Sequence, residues 1–311
     1  MLTSLAVIAG VALIAVTHRE ETRQFWRDLR SLSPIAVATA LVLILAQVTL
    51  QALRMWAIAP ADAGLRVIRA GYIFAVGDWT NIFIPVRGGD ALKVVLLTRP
   101  ENGHQISLAK ATGALLADKV SDVGTLLLLC VATGLTSLLV VKTRATLSLR
   151  GMVIAAAAVA VLVFIVTRRG PRQWLAARRV GLRDIGEGLS SLKSPLRIAV
   201  SVSCSVAARF AEVLALARLC AAVGFVISLP QVLLALVIVN VSISVPVSVA
   251  NLGVFEAGLA YGLMRAGIPL PAAVLVATTH HMLELLGITL SAAGYTLAFQ
   301  ATKRGEAAAA P

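Results

Sequence analysis

The stretch PIAVATALVLILAQVTLQALRMWAIA, residues 34–59, is predominantly apolar and exceeds the roughly 20 residues a helix needs to cross the hydrocarbon layer of a bilayer. Comparable runs recur at 108–141, 151–167, 198–222, 229–249 and 272–299. A further apolar run at 70–84 is broken by Gly77, Asp78 and Asn81 before Pro85. Composition agrees: 59% of the residues are hydrophobic, 14% are charged, and mean hydropathy is +0.89, where a soluble domain carries about a quarter charged residues. The 311 residues could fill two soluble domains, yet the longest polar stretch, 168–197, reads as a loop. The expected fold is all-α: a polytopic integral membrane bundle of about seven to eight hydrophobic helices. It forms one transmembrane domain over 1–300, with a disordered tail at 301–311.

Residues 2–17 form an apolar run without the preceding basic residues of a secretory signal. Arg19, Arg23, Arg27 and Arg30 follow it instead, which predicts a retained first helix with its amino terminus outside. Loops 18–33, 98–110 and 168–197 hold 4, 2 and 8 basic residues, against 2, 3 and none for 60–69, 142–150 and 223–229. The first set is expected in the cytoplasm. The net charge of +13 is spread in short clusters between apolar spans, which suits anionic lipid headgroups and not nucleic acid. Cys130, Cys204 and Cys220 all lie in apolar runs, far apart and odd in number, so they read as packing thiols.

Two distant segments resemble each other. Ile82-Phe83-Ile84-Pro85-Val86 leads into Arg87-Gly88-Gly89-Asp90-Ala91-Leu92-Lys93. Ile243-Ser244-Val245-Pro246-Val247 leads into Asn251-Leu252-Gly253-Val254-Phe255-Glu256-Ala257. In each, an apolar helix runs into a proline, then a glycine-containing break, then an acid followed by alanine. Unpaired backbone at such a break must face protein or water, and paired broken helices in corresponding parts of a membrane chain mark transport sites. Two pseudo-symmetric broken or re-entrant elements are therefore expected, near 70–97 and 230–265.

The same residues carry a family resemblance. Asn81-x-x-x-Pro85-x-Arg87-x-Gly89-Asp90-x-x-Lys93 resembles the Pro-x-Arg-x-Gly-Glu-x-x-Arg signature of the lysylphosphatidylglycerol synthase membrane-region family, whose members are flippase-like. Ala117-Asp118-Lys119-Val120-Ser121-Asp122 is similar to its Glu-Arg-Val-x-Asp, and Asn251-Leu252-Gly253-Val254-Phe255-Glu256 to its Gly-Leu-Gly-Val-x-Glu. The resemblance spans roughly residues 30 to 300. It implies a lipid translocase of the bacterial inner (plasma) membrane, multi-pass, without the soluble aminoacyltransferase domain of two-part members. Asp90, Lys93, Asp118 and Lys119 replace the family's usual Glu, Arg, Glu and Arg with charge retained. Lys is a point charge where Arg grips phosphate with two bonds, so headgroup preference can differ.

The charged positions point the same way. A charge within the bilayer is paired or sits in a wet cavity. Asp118 and Asp122 share a helical face, with Lys119 at i,i+3 from Asp122; Arg209 and Glu212 repeat that spacing. Arg87, Lys93 and Lys119 would hold a phosphate while Asp90, Asp118 and Asp122 orient them. Structural ion pairs between helices are the competing reading. His280 and His281 each stand one turn from Glu284, a polar contact or a proton-responsive pair. With four histidines in the chain, a metal site is not expected. The substrate-binding candidates are Asn81, Arg87, Asp90, Lys93, Asp118, Lys119, Asp122, Arg209, Glu212, Asn251, Glu256, His281 and Glu284. No Walker loop, Gly-x-Ser-x-Gly elbow, His-Glu-x-x-His or Cys-x-x-Cys occurs, so no catalytic residue, metal or cofactor is assigned. The expected activity is translocation of an anionic, phosphate-bearing lipid or lipid-linked glycan. The expected partners are a membrane phospholipid or polyprenyl-linked lipid and a lipid-modifying enzyme or glycosyltransferase. A membrane-embedded transferase using those acids, or a non-transporting scaffold of a glycosyltransferase complex, are the alternatives.

Overall fold

The computed structural model describes residues 27–28, 30, 32–60, 63–84, 88–100, 104–140, 194–244 and 248–309. The expected helices at 2–17 and 151–167, loop 142–150 and both prolines of the paired breaks lie outside the described residues. The described residues form eight α-helices and no strand. They are α1 (Pro34–Ile58), α2 (Val67–Phe83), α3 (Gly88–Thr98), α4 (Leu108–Val140), α5 (Pro195–Ala222), α6 (Leu229–Ser242), α7 (Val254–Arg265) and α8 (Leu270–Ala309). A 3-10 turn, Val249–Asn251, precedes α7. Helices α1, α5 and α8 are long and apolar enough to cross a membrane.

Proline opens both α1 and α5 at the first turn, where its missing N–H has no intrahelical partner anyway. The two helices pack antiparallel along their length: Arg197 Nη1 at the start of α5 donates to the Ala59 carbonyl just beyond α1, at 2.7 Å. The buried stripe of α1 recurs every fourth residue, as Ala36, Ala40, Ile44, Val48 and Ala52. Helix α5 in turn buries the small residues Ser201, Cys204, Ser205, Ala208, Ala211 and Ala215. Small side chains let backbones approach, which is how helices gain dispersion energy in a medium as apolar as themselves.

Helices α2 and α3 form an antiparallel hairpin. Arg69 Nη2, at the start of α2, donates to the carbonyls of Leu96 (3.1 Å) and Arg99 (2.5 Å) at the end of α3. Gly89 makes the crossing possible, since a Cβ there would lie 1.8 Å from the Gly77 carbonyl oxygen. Helices α6 and α7 form a second hairpin. At its feet Gln231 accepts the Ser228 backbone N–H at 2.9 Å and donates to the Ala266 carbonyl at 3.2 Å. Gly262 of α7 meets Ala235 of α6, where a Cβ would sit 2.6 Å from the Ala235 Cα. These four helices are about 16–25 Å long at 1.5 Å per residue, short of a bilayer's roughly 30 Å core.

The hairpins start from opposite ends of the bundle. The feet of α2–α3 lie with Ala59, Arg197 and Glu306, which pairs with Arg66; this is the Arg66 end. The feet of α6–α7 lie beside the α5 terminus, at the Gly224 end. Each hairpin has its own apolar core. Val48, Met55, Ile73, Phe74, Leu96 and Leu97 pack at the Arg66 end, and Ile44, Leu216, Leu233, Leu259 and Val276 at the other.

Three expectations are corrected. After 84 the chain turns back, so 60–69 and 98–110 share one end, with a Cβ on Gly64 meeting His104. Residues 194–197 join them. The loop grouping by charge therefore fails, because it placed 60–69 opposite 98–110 and the antiparallel hairpin brings them to one end. The span at 229–249 ends as the 14-residue α6, at Ser242. The tail expected to be disordered from 301 continues α8 through Ala309; alanine has the best helix propensity, and Glu306 is held by Arg66.

Candidate functional site

The tips of the two hairpins meet inside the bundle, the 3-10 turn before α7 packing against α2. Between them lies a cavity of about 250 Å³. Its polar wall comes from almost every helix: Gln47 and Gln51 (α1), Asp78 and Asn81 (α2), Asp122 (α4), Arg209 and Glu212 (α5), Asn240 (α6), Asn251 before α7, and His281 and Glu284 (α8).

Two ion-pair networks flank it. In the first, Lys93 is 1% exposed, with Nζ 2.5 Å from Asp78 Oδ1, 3.7 Å from Asp90 Oδ1 and 4.3 Å from the Phe74 ring centre. Lys119 reaches Asp90 at 3.2 Å. Asn81 Oδ1 accepts the Gly89 backbone N–H at 2.8 Å, closing the turn between α2 and α3. In the second, Arg54 donates to Asp118 (2.8 Å) and Asp122 (3.1 Å). Arg209 donates to Asp122 (3.1 Å) and to Glu212. The chain α1–α4–α5 is thus tied by alternating charges at the cavity wall. A charge this buried is costly unless a partner of opposite sign compensates it.

On the far side, His281 Nδ1 lies 2.8 Å from Glu256 Oε1, and His280 Nε2 lies 3.4 Å from Glu284 Oε1. The hairpin tip here is strained: Ala250 and Asn251 both have positive φ, 54° and 55°. Asn tolerates the left-handed region, whereas alanine pays about 1–2 kcal/mol for it.

Eleven of the thirteen site candidates line this cavity or belong to its two flanking networks; Glu256 joins them through His281, and Arg87 lies outside the described residues. Arg209–Glu212 and His280–Glu284 keep the expected helical spacing, but two other pairings differ. Lys119 turns to Asp90 on α3 and not to Asp122, and His281 turns to Glu256 on α7 while His280 faces Glu284. Sequence reading missed Arg54, Asp78, Gln47, Gln51 and Asn240. Arg54 had a signal, as a cation inside an otherwise uncharged apolar run.

Charge is the informative quantity. Among the described residues four cations (Arg54, Lys93, Lys119, Arg209) stand against seven carboxylates (Asp78, Asp90, Asp118, Asp122, Glu212, Glu256, Glu284). Arg54, Lys93 and Arg209 each face two carboxylates and are at most 5% exposed; Lys119, 37% exposed, is the accessible one. No group of three metal-ligating side chains occurs among the described residues.

A family profile for the lysylphosphatidylglycerol synthase TM region matches residues 1–292. No curated protein and no solved structure matches the chain. The three segments resembling that family's motifs, far apart in sequence, converge on one cavity inside a helical bundle. The match covers nearly the whole chain: it belongs to the lysylphosphatidylglycerol synthase TM-region family, membrane proteins tied to lipid modification or transport.

Proposed function

We propose that the chain is a multi-pass lipid translocase of the bacterial plasma membrane, with the headgroup in the cavity and the tails in the surrounding lipid. One observation carries the reading: two hairpins from opposite ends of an apolar bundle bring their tips together at a charged cavity. Short helices that stop near the middle leave polar backbone there, which is tolerated only against protein or water. The hairpins are re-entrant in this reading. Arg54, Lys93 and Arg209 are each buried between two carboxylates, so a lipid phosphate falls to the more exposed Lys119, which pairs with Asp90, and, by the sequence motif, to Arg87. The carboxylates, asparagines and glutamines deeper in the wall suit hydroxyl and amine groups of the headgroup.

The purified protein in vesicles should speed exchange of a fluorescent phospholipid between leaflets without altering it. A covalently changed lipid would move the assignment to a membrane transferase. Exchange no faster than in empty vesicles, for phosphatidylglycerol and polyprenyl-phosphate lipids alike, would leave the scaffold role.

A further inference from the structure

Two adjacent histidines on α8 face different neighbours. His281 donates from Nδ1 to Glu256 Oε1 at 2.8 Å, since a carboxylate only accepts. The other oxygen of Glu256 accepts the Gly253 backbone N–H at 2.7 Å, capping α7. His281 therefore touches the residue that fixes the tip of the α6–α7 hairpin. His280 is 0% exposed, and neither ring nitrogen has a hydrogen-bond partner. Its acidic neighbours are Glu284, at 3.4 Å without hydrogen-bond geometry, and Glu212. Phe255, also at the hairpin tip, stacks on both rings, with centres 4.2 Å from His281 and 6.2 Å from His280.

The groups facing this pair come from every packed element. They are Glu256 from α7, Arg209 and Glu212 from α5, Glu284 from α8 itself, and Asp122 from α4 through Arg209. Helix α2 contributes Asp78 across the cavity, and α1 and α6 contribute the uncharged Gln47, Gln51 and Asn240. Two idle nitrogens make a neutral buried imidazole expensive. An imidazolium in the same place meets two carboxylates, and histidine gains its proton near neutrality.

We propose that His280 and His281 are a proton-binding site whose occupancy sets the position of the α6–α7 hairpin tip, and that headgroup movement is thereby proton-dependent. The first half stands on this geometry; the second rests on the translocation reading. The proton comes from water in the cavity, binds one ring nitrogen and returns the same way. A protonated His280 draws Glu284, on the same helix, and Glu212 of α5 toward its ring. A change at His281 alters its grip on Glu256, and with it the cap of α7.

Ser244→Cys places a thiol beside the tip, and the three native cysteines are buried, so its labelling reports that position alone. Its rate, normalised to a free peptide thiol, should change several-fold between about pH 5.5 and about pH 8. That response should vanish in His281→Gln and in Glu256→Gln. Ring NMR of the unmodified chain, which has four histidines, should show two coupled titrations in the same window, and it needs no variant to fold. Flat ring signals for His280 and His281, or an unchanged labelling response in His281→Gln, overturns the proposal. If both readouts respond yet neither phosphatidylglycerol nor a polyprenyl-phosphate lipid exchanges in vesicles at any pH, the proton site stands and the translocation reading falls.

Discussion

Lys93→Met separates a headgroup ligand from a structural charge. Methionine nearly matches the length of the lysine stem but lacks the ammonium, so packing on Gly77 and Phe74 is kept while Asp78 and Asp90 lose a cation. Removing one partner of a buried ion pair costs about 3–5 kcal/mol. The Asp78 side chain is 24% exposed and Asp90 keeps Lys119 at 3.2 Å, which places the loss at the low end, about 3 kcal/mol, or about a hundredfold in the unfolding constant. Denaturant titration in mixed micelles would read it, and Asp78→Asn in the Lys93→Met background should recover much of the loss. Lys93→Arg should also destabilise, because the bulkier guanidinium must fit where Lys93 already packs tightly on Gly77. A Lys93→Met protein within about 0.5 kcal/mol of the parent, with lipid binding abolished, would refute this reasoning and return Lys93 to the headgroup.

Four further outcomes are expected. Arg54→Met leaves Asp118 without its 2.8 Å donor and should cost about 3–5 kcal/mol by the same titration; an unchanged midpoint would show the α1–α4 tie to be idle. Gly89→Ala drives a Cβ onto the Gly77 carbonyl and should lose about 1–3 kcal/mol or more, whereas Gly294→Ala, with nothing within 4 Å, should gain slightly. Ala250→Gly relieves the left-handed alanine and should raise stability by roughly 1 kcal/mol, read as a higher melting temperature. Leu65→Cys and Gln105→Cys should react with an impermeant thiol reagent from the same side of the membrane; labelling from opposite sides would dismantle the first hairpin.

Much of this architecture is visible in the apolar runs and in the two proline–glycine breaks. Residues 34–59 became α1 almost to the residue, because one long apolar run admits one solution in hydrocarbon. The direction of the chain after each break was not legible. Pro85 and Gly89 signal an interruption equally well in a kinked crossing and in a hairpin; what distinguishes them is Arg69 reaching Leu96, a contact between segments 27 residues apart. The site was legible as a set of charges but only partly as pairs: Arg209–Glu212 and His280–Glu284 follow helical spacing. Spacing along one helix proposes partners at i,i+3 and i,i+4, yet Lys119 and His281 found better ones on other helices. Arg54 escaped because a single cation inside a long apolar span changes its hydropathy little.

The feet of each hairpin are pinned by backbone carbonyls, Leu96 and Arg99 for the first and Ala266 for the second, while the tips carry the side-chain ion pairs Lys119–Asp90 and His281–Glu256. A polar guest can offer a side chain the same hydrogen bonds its partner gave, but it cannot replace a pinned carbonyl without unwinding a helix. Each hairpin thus behaves as a flap with a fixed hinge and a latch that a solute of the right chemistry can pick. With hinges at opposite ends, releasing one latch loosens the cavity roof from one side and leaves the other flap closed.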